Sequence, residues 1–235
     1  TYGSETWTAG ATNTELATLA EAMEGAASGY GLASAVYTQN FSVAAQETDP
    51  TGIAFNADGT KMFVVGDAGD AVNEYALTTG FDVSTASYSQ NFSVASQETA
   101  PKGLAFNTDG TKMFVVGYTG QDINEYALST GFDVSTASFT DAFSVASQDI
   151  FPTGLAFNAD GTKMFVGGNE GDDINEYALT TGFDVSTASF VDSFSVATQD
   201  TQPTGLAFNT DGTKMFVVGQ NGDDVNEYST TSHIN

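Results

Sequence analysis

The residues of this chain best suited to chemistry are carboxylates. Asp67 and Asp70, then Asp122, then Glu170, Asp172 and Asp173, then Asp223 and Asp224 recur at one phase of a repeating pattern. Hard oxygen ligands at that density suit Ca²⁺, with Asp70, Asp122, Asp172, Asp173, Asp223 and Asp224 as the ligand set. The spacing is not that of a calcium loop, however, and Gln121 stands where other copies have an acid. A solvated acidic rim is the simpler expectation. A second series, Glu74, Glu125, Glu176 and Glu227, recurs together with Lys61, Lys112, Lys163 and Lys214 one strand away. Four copies of an acid beside four copies of a lysine read as a structural ion pair rather than as catalysis.

Other chemistries are thinly supplied. There is no Cys, which excludes disulfides, thiolate metal sites and thiol nucleophiles. His233 is the only histidine and lies three residues from the end, so neither a multi-histidine metal site nor an oriented Ser/His/Asp system is expected. The expectation is a chain without enzymatic activity, with a carboxylate-based hydrolase as an alternative. The formal charge is −25, from 30 acidic against five basic residues, which repels nucleic acid and anionic lipid. No apolar run approaches the ~18 residues of a membrane span, so no membrane insertion is expected. With Thr1 first and no signal-like segment, the chain reads as cleaved from, or a fragment of, something longer. Asn40-Phe41-Ser42 and Asn91-Phe92-Ser93 match the N-glycosylation triplet.

The elements that must position these side chains come from repetition. Gly52, Gly103, Gly154 and Gly205 open four near-copies of one phrase, 51 residues apart. In the second copy GLAFN is a first strand, Asp109-Gly110 a tight turn, Lys112–Val116 a second strand and Ile123–Leu128 a third. A polar connection then leads to a fourth strand, Phe139–Val145. Apolar residues fall on both faces, as in Met113-Phe114-Val115-Val116, which suits a sheet packed between two neighbours. Four strands per ~50 residues is the signature of a β-propeller blade. The expected fold is all-β, a four-bladed β-propeller over residues 37–228. Its closing strand is Tyr37–Val43, which matches the fourth strand and is expected to pair with the last three, leaving no open edge.

The phrase NTDGTKMFVVG resembles the hairpin of the YVTN family of surface-layer and lactonase-like propellers. The longer text PTGLAFNTDGTKMFVVG, NEYALSTGFDVSTASF and FSVASQ is similar to repeats of secreted bacterial and phage-associated propeller proteins. The resemblance covers about four-fifths of the chain and implies the fold. The catalytic metal ligands it implies for lactonase-like enzymes have no counterpart here, and the DGT hairpin resembles the Asp-box of sialidases, a folding element.

Residues 1–36 lie outside the repeat and read as an arm, with 229–235 as a tail. Tyr2 and Trp7 sit in an extended segment; Thr12 and Glu15 form a capping box for a short helix whose face is Leu16, Leu19, Ala20 and Met23. Gly29 and Gly31 form a hinge. The arm has three readings: it packs on its own propeller, it donates a strand to a neighbour and so makes a homo-oligomer, or it is disordered. Residues that break the repeat cannot be explained by symmetry. Lys102 replaces Thr, Tyr118 replaces a polar turn residue, and Phe151 replaces a small or polar one. With Tyr2 and Trp7 they form the expected assembly surface. The functional expectation is a structural subunit of an extracellular filament or cell-surface assembly, with a glycan- or surface-binding adhesin as the alternative.

Overall fold

The computed structural model describes residues 36–230. The arm, with Tyr2, Trp7 and its expected helix, and the residues beyond 230 lie outside the described residues. Four antiparallel sheets follow one another in the compact unit that begins at Asn40. Blade one is β1 (Pro50–Phe55), β2 (Lys61–Gly66), β3 (Ala71–Leu77) and β4 (Ala86–Ser93). Blade two is β5 (Pro101–Phe106), β6 (Lys112–Gly117), β7 (Asp122–Leu128) and β8 (Ala137–Ser144). Blade three is β9 (Pro152–Phe157), β10 (Lys163–Gly168), β11 (Asp173–Leu179) and β12 (Ala188–Ser195). Blade four is β13 (Pro203–Phe208), β14 (Lys214–Gly219) and β15 (Val225–Ser229). Each sheet is ordered as the chain runs, so every blade is a meander. The protein is a four-bladed β-propeller whose regular structure is nearly all strand, with single 3₁₀ turns such as Val134–Thr136 between third and fourth strands.

Local chemistry sets each hairpin. Between β1 and β2, Gly59 takes φ +70° and its N–H donates to Asn56 O at 3.1 Å. Asp58 Oδ1 accepts from the Thr60 N–H at 3.0 Å and from its hydroxyl at 2.6 Å. A Cβ on Gly59 would lie 2.4 Å from the ring of Phe81, so only glycine fits both the turn and the ring that covers it.

Packing between blades explains the doubly apolar strands. Met113 and Val115 of β6 face blade one, in a cluster with Phe63, Val65 and Val72. Phe114 and Val116 face blade three, in a cluster with Leu155, Met164 and Val166. All four β6 side chains are fully buried. Each contributes about 1.5–3 kcal/mol relative to exposure, so every internal interface is a hydrophobic core in its own right. Glycines let the first strands approach: a Cβ on Gly103 would come 2.5 Å from the Thr153 carbonyl oxygen.

The Lys–Glu pairs stitch blades together. Glu74 Oε1 lies 2.8 Å from Lys61 Nζ. Its Oε2 accepts from Gln90 Nε2 at 2.8 Å and from the Val134 N–H of the next blade at 3.2 Å. Glu125 repeats this with Lys112 at 2.7 Å and the Val185 N–H at 3.0 Å. A β-bulge falls beside Glu74, where Glu74 faces Gln90 but Tyr75 faces Tyr88.

The expected closing strand is not formed among the described residues. Blade four has three strands, and Tyr37–Val43 belongs to none of the sheets. Phe41 instead packs on Tyr75 of blade one, ring centroids 5.6 Å apart at 78°. Phe92 of blade one packs on Tyr126 of blade two in the same way, at 5.5 Å and 75°. Phe41 therefore lies where the end of a preceding blade's fourth strand would lie, and among the described residues Phe41–Val43 joins none of the four sheets. The first strands β1, β5, β9 and β13 neighbour one another in order, and no extensive packing joins β13 to β1. Side-chain matching predicted the pairing; it could not supply the rotation from blade to blade that decides whether the ends meet.

Candidate functional site

The three repeat-breaking residues converge. Asp67 opens the turn after β2, Tyr118 the same turn after β6, and Asn169 the same turn after β10; Gln220 is the fourth member of this position. Lys102 is the second residue of β5, and Phe151 directly precedes β9. Lys102 Nζ donates to Asp67 Oδ2, across the gap between blades one and two. The same ammonium lies 4.6 Å from the centroid of the Tyr118 ring, a cation–π contact. Tyr118 meets Phe151 edge-on at 5.4 Å and 75°. Asn169 Nδ2 donates to the Tyr118 hydroxyl at 3.0 Å. One chain of contacts thus runs over three blades on the rim that carries the β2–β3 turns.

Its electrostatics are specific to this rim. Lys102 is the only lysine outside the repeated Lys–Glu series. Burial, followed by the charges of Asp67 and Asp149, holds the Tyr118 phenol above its ordinary range. Asp67 Oδ1 and Asn169 Oδ1 are buried acceptors without a hydrogen-bond partner. Phe151 is 42% exposed, with Ile150 beside it at 38%. The rim therefore presents an exposed aromatic face beside a cation held by Asp67, with two acceptors enclosed behind it.

A series the sequence reading passed over supports this rim from beneath. Glu47, Glu98, Asp149 and Asp200 precede each blade's first strand and are 0–2% exposed. Glu47 accepts from the N–H groups of Ala68 at 3.1 Å and Gly69 at 3.0 Å. Glu98 takes those of Thr119 and Gly120, and Asp149 those of Glu170 and Gly171. Each carboxylate pins the turn bearing the variable residue. The recurrence of an acid three residues before each proline was the available signal.

The acids expected to bind Ca²⁺ occupy separate turns. Asp70, Asp172 and Asp223 adopt φ of 47°, 51° and 53°, as does Gln121 at 55°, so this phase demands a left-handed backbone whichever side chain it carries. Asp122 and Asp173 begin third strands, and burial raises the carboxyl of each. Asp173 Oδ1 accepts from Asn175 Nδ2 at 2.7 Å. Asp223 and Asp224 are exposed. Among the described residues no three acids or histidines converge to hold a metal ion.

No protein-family profile and no curated protein sequence matches the chain. Solved structures do. A candidate 6-phosphogluconolactonase of Bacteroides uniformis is 11% identical, with a TM-score of 0.56, over 78% of this chain and 51% of that one. A Lactobacillus plantarum protein is 19% identical, TM-score 0.55, over 78% and 51%. The periplasmic gluconolactonase of Pseudomonas aeruginosa is 18% identical, TM-score 0.52, over 78% and 50%. The likeness is one of fold. It fits the lactonase-like resemblance of the repeat, and the chain spans about half the length of the structures it matches. It also corrects the expectation of a chain without enzymatic activity, because proteins named as lactonases share this architecture. That expectation rested on a missing sequence motif, whereas a propeller rim assembles its residues from separate blades.

Proposed function

We propose that the chain is a ligand-binding propeller whose rim takes a neutral, hydroxyl-rich compound, a glycan or sugar lactone. The observation that carries the reading is the asymmetric cluster of Asp67, Lys102, Tyr118, Phe151 and Asn169 in an otherwise repetitive molecule. Sugar hydroxyls are donors and acceptors at once, which suits the half-buried polar edge made by Lys102, the Tyr118 hydroxyl and the Asn169 amide. The apolar face of a pyranose suits Phe151, and the acidic exterior disfavours phosphorylated ligands. An extracellular or cell-surface setting, where glycans are met, accords with this reading. The filament role proposed for the arm depends on residues outside those described.

Titration calorimetry against a panel of neutral oligosaccharides and aldonolactones tests the reading. Binding should weaken on the order of 10-fold in Phe151→Ala and in Lys102→Thr, which restores the repeat residue. Consumption of a lactone by the wild type and not by Lys102→Thr would place catalysis at the same rim. Unchanged binding in both variants would move the site elsewhere.

A further inference from the structure

The two outermost faces of the blade series carry complementary halves of an interface that the chain already makes three times. On the leading face of blade four lie Phe216, Val218 and Val225, with Val218 40% and Val225 49% exposed. Their counterparts Phe63, Val65 and Val72 are fully buried against blade two, as are Phe114, Val116 and Ile123 against blade three. On the opposite face of blade one, Ile53 is 60% exposed, whereas its counterparts Leu104 and Leu155 are at 7% and 8%. Around Ile53 an apolar groove of about 350 Å³ is lined by Phe41, Val43, Met62, Val64 and Val83.

The polar pattern agrees. Thr51 Oγ1 donates to Pro101 O of the next blade at 2.7 Å, and Thr153 Oγ1 to Pro203 O at 2.9 Å. Among the described residues Thr204 Oγ1 reaches only Val218 O of its own blade, at 3.4 Å. The strand pattern agrees too. β15 is the edge of a three-stranded sheet, and Phe41–Val43 sits on blade one in the place of a fourth strand that belongs to no sheet.

We propose that these faces are filled by a second copy of this chain, blade four of each against blade one of the other. Two four-bladed halves then close as one eight-bladed ring about a two-fold axis. In that ring Val218 and Val225 enter the groove beside Ile53, Thr204 donates to the Pro50 carbonyl of the other copy, and Phe41–Val43 pairs with β15 across the joint. The occupant is a second copy because each face's complement is carried by the same chain and has already been met inside it. The size agrees: the part of this chain that matches covers only about half of each solved propeller it resembles. With −25 charges on each copy, pairing strengthens as salt is added.

Light scattering on the eluting 235-residue chain and native mass spectrometry test the proposal. The expected mass is twice 24.4 kDa, more fully populated in 0.5 M than in ~0.05 M salt. Val218→Glu and Ile53→Lys lie at opposite ends on exposed positions, and each should weaken pairing on the order of 100-fold with an unchanged circular dichroism spectrum. Mixing the two variants should restore a pair, because one joint is then wild type and the other matches Lys with Glu. If either variant fails to fold, the other and the salt series still decide. A single-chain mass at every concentration, a ladder of higher masses, or pairing that survives both variants would overturn the proposal.

Discussion

Blade two and blade four are written in nearly the same residues, yet one is a core and the other half a surface. Val116 and Ile123 are fully buried, while their counterparts Val218 and Val225 are 40–49% exposed; Val115 and its counterpart Val217, on the inner face, are buried alike. The same glutamate is 2–6% exposed at positions 74 and 125, 29% at 176 and 43% at 227, although its lysine stays within 2.6–2.8 Å throughout. The gradient shows that a blade's burial is supplied by its neighbour rather than by its own sequence. The ion pair forms locally in every repeat; what makes it a staple is the 3₁₀ turn of the next blade.

This contrast can be broken by paired substitutions read as unfolding free energies. Tyr126→Ala should cost about 3–5 kcal/mol, because the ring is fully enclosed between Phe92 and Phe139. Tyr228→Ala, on the half-exposed counterpart, should cost about 1–2 kcal/mol. Equal costs in denaturant titration would show that blade four is as buried as blade two. Next in size, Glu125→Ala leaves the Val185 N–H without its acceptor and Lys112 with only the Phe183 carbonyl, and should cost about 2 kcal/mol, against ~0–1 kcal/mol for Glu227→Ala.

The smallest effect sharpens the comparison by being the same in every blade. Hydrogen bonds from Thr60, Thr111, Thr162 and Thr213 hold Asp58, Asp109, Asp160 and Asp211 below the usual carboxylate range. A lowered folded value contributes stability that is present above the unfolded value of 3.8 and is lost as pH falls through the folded one. Thr111→Val and Thr213→Val should therefore flatten the acid limb of stability against pH to the same small degree. A larger change for Thr111 would mean that the turn senses its neighbours.

The fold was legible because the repeat is long and its punctuation strict. Asp109-Gly110 fixes a turn, MFVV fixes a doubly covered strand, and the Lys112–Glu125 spacing fixes an ion pair, all within one unit. The pairing of Tyr37–Val43 was not legible, because its side chains satisfy any third strand of this family and the choice depends on accumulated curvature. At the rim, Lys102, Tyr118 and Phe151 were visible as departures from the repeat. Asn169 was not, since an amide in a turn excites no notice, and Asp67 was grouped with the other turn acids. The repeat aligns Asp67, Tyr118 and Asn169 as one position; only the fold shows that they are joined, through Lys102 and the Tyr118 hydroxyl.

The buried carboxylates under the rim have a consequence for how such a molecule can change. Glu47, Glu98 and Asp149 each grip main-chain amides, leaving the side chain directly above without any duty toward loop shape. Asp, Tyr, Asn and Gln can then trade places there at little cost to folding. Variation at these four positions then changes the face the rim presents without rebuilding the frame beneath it.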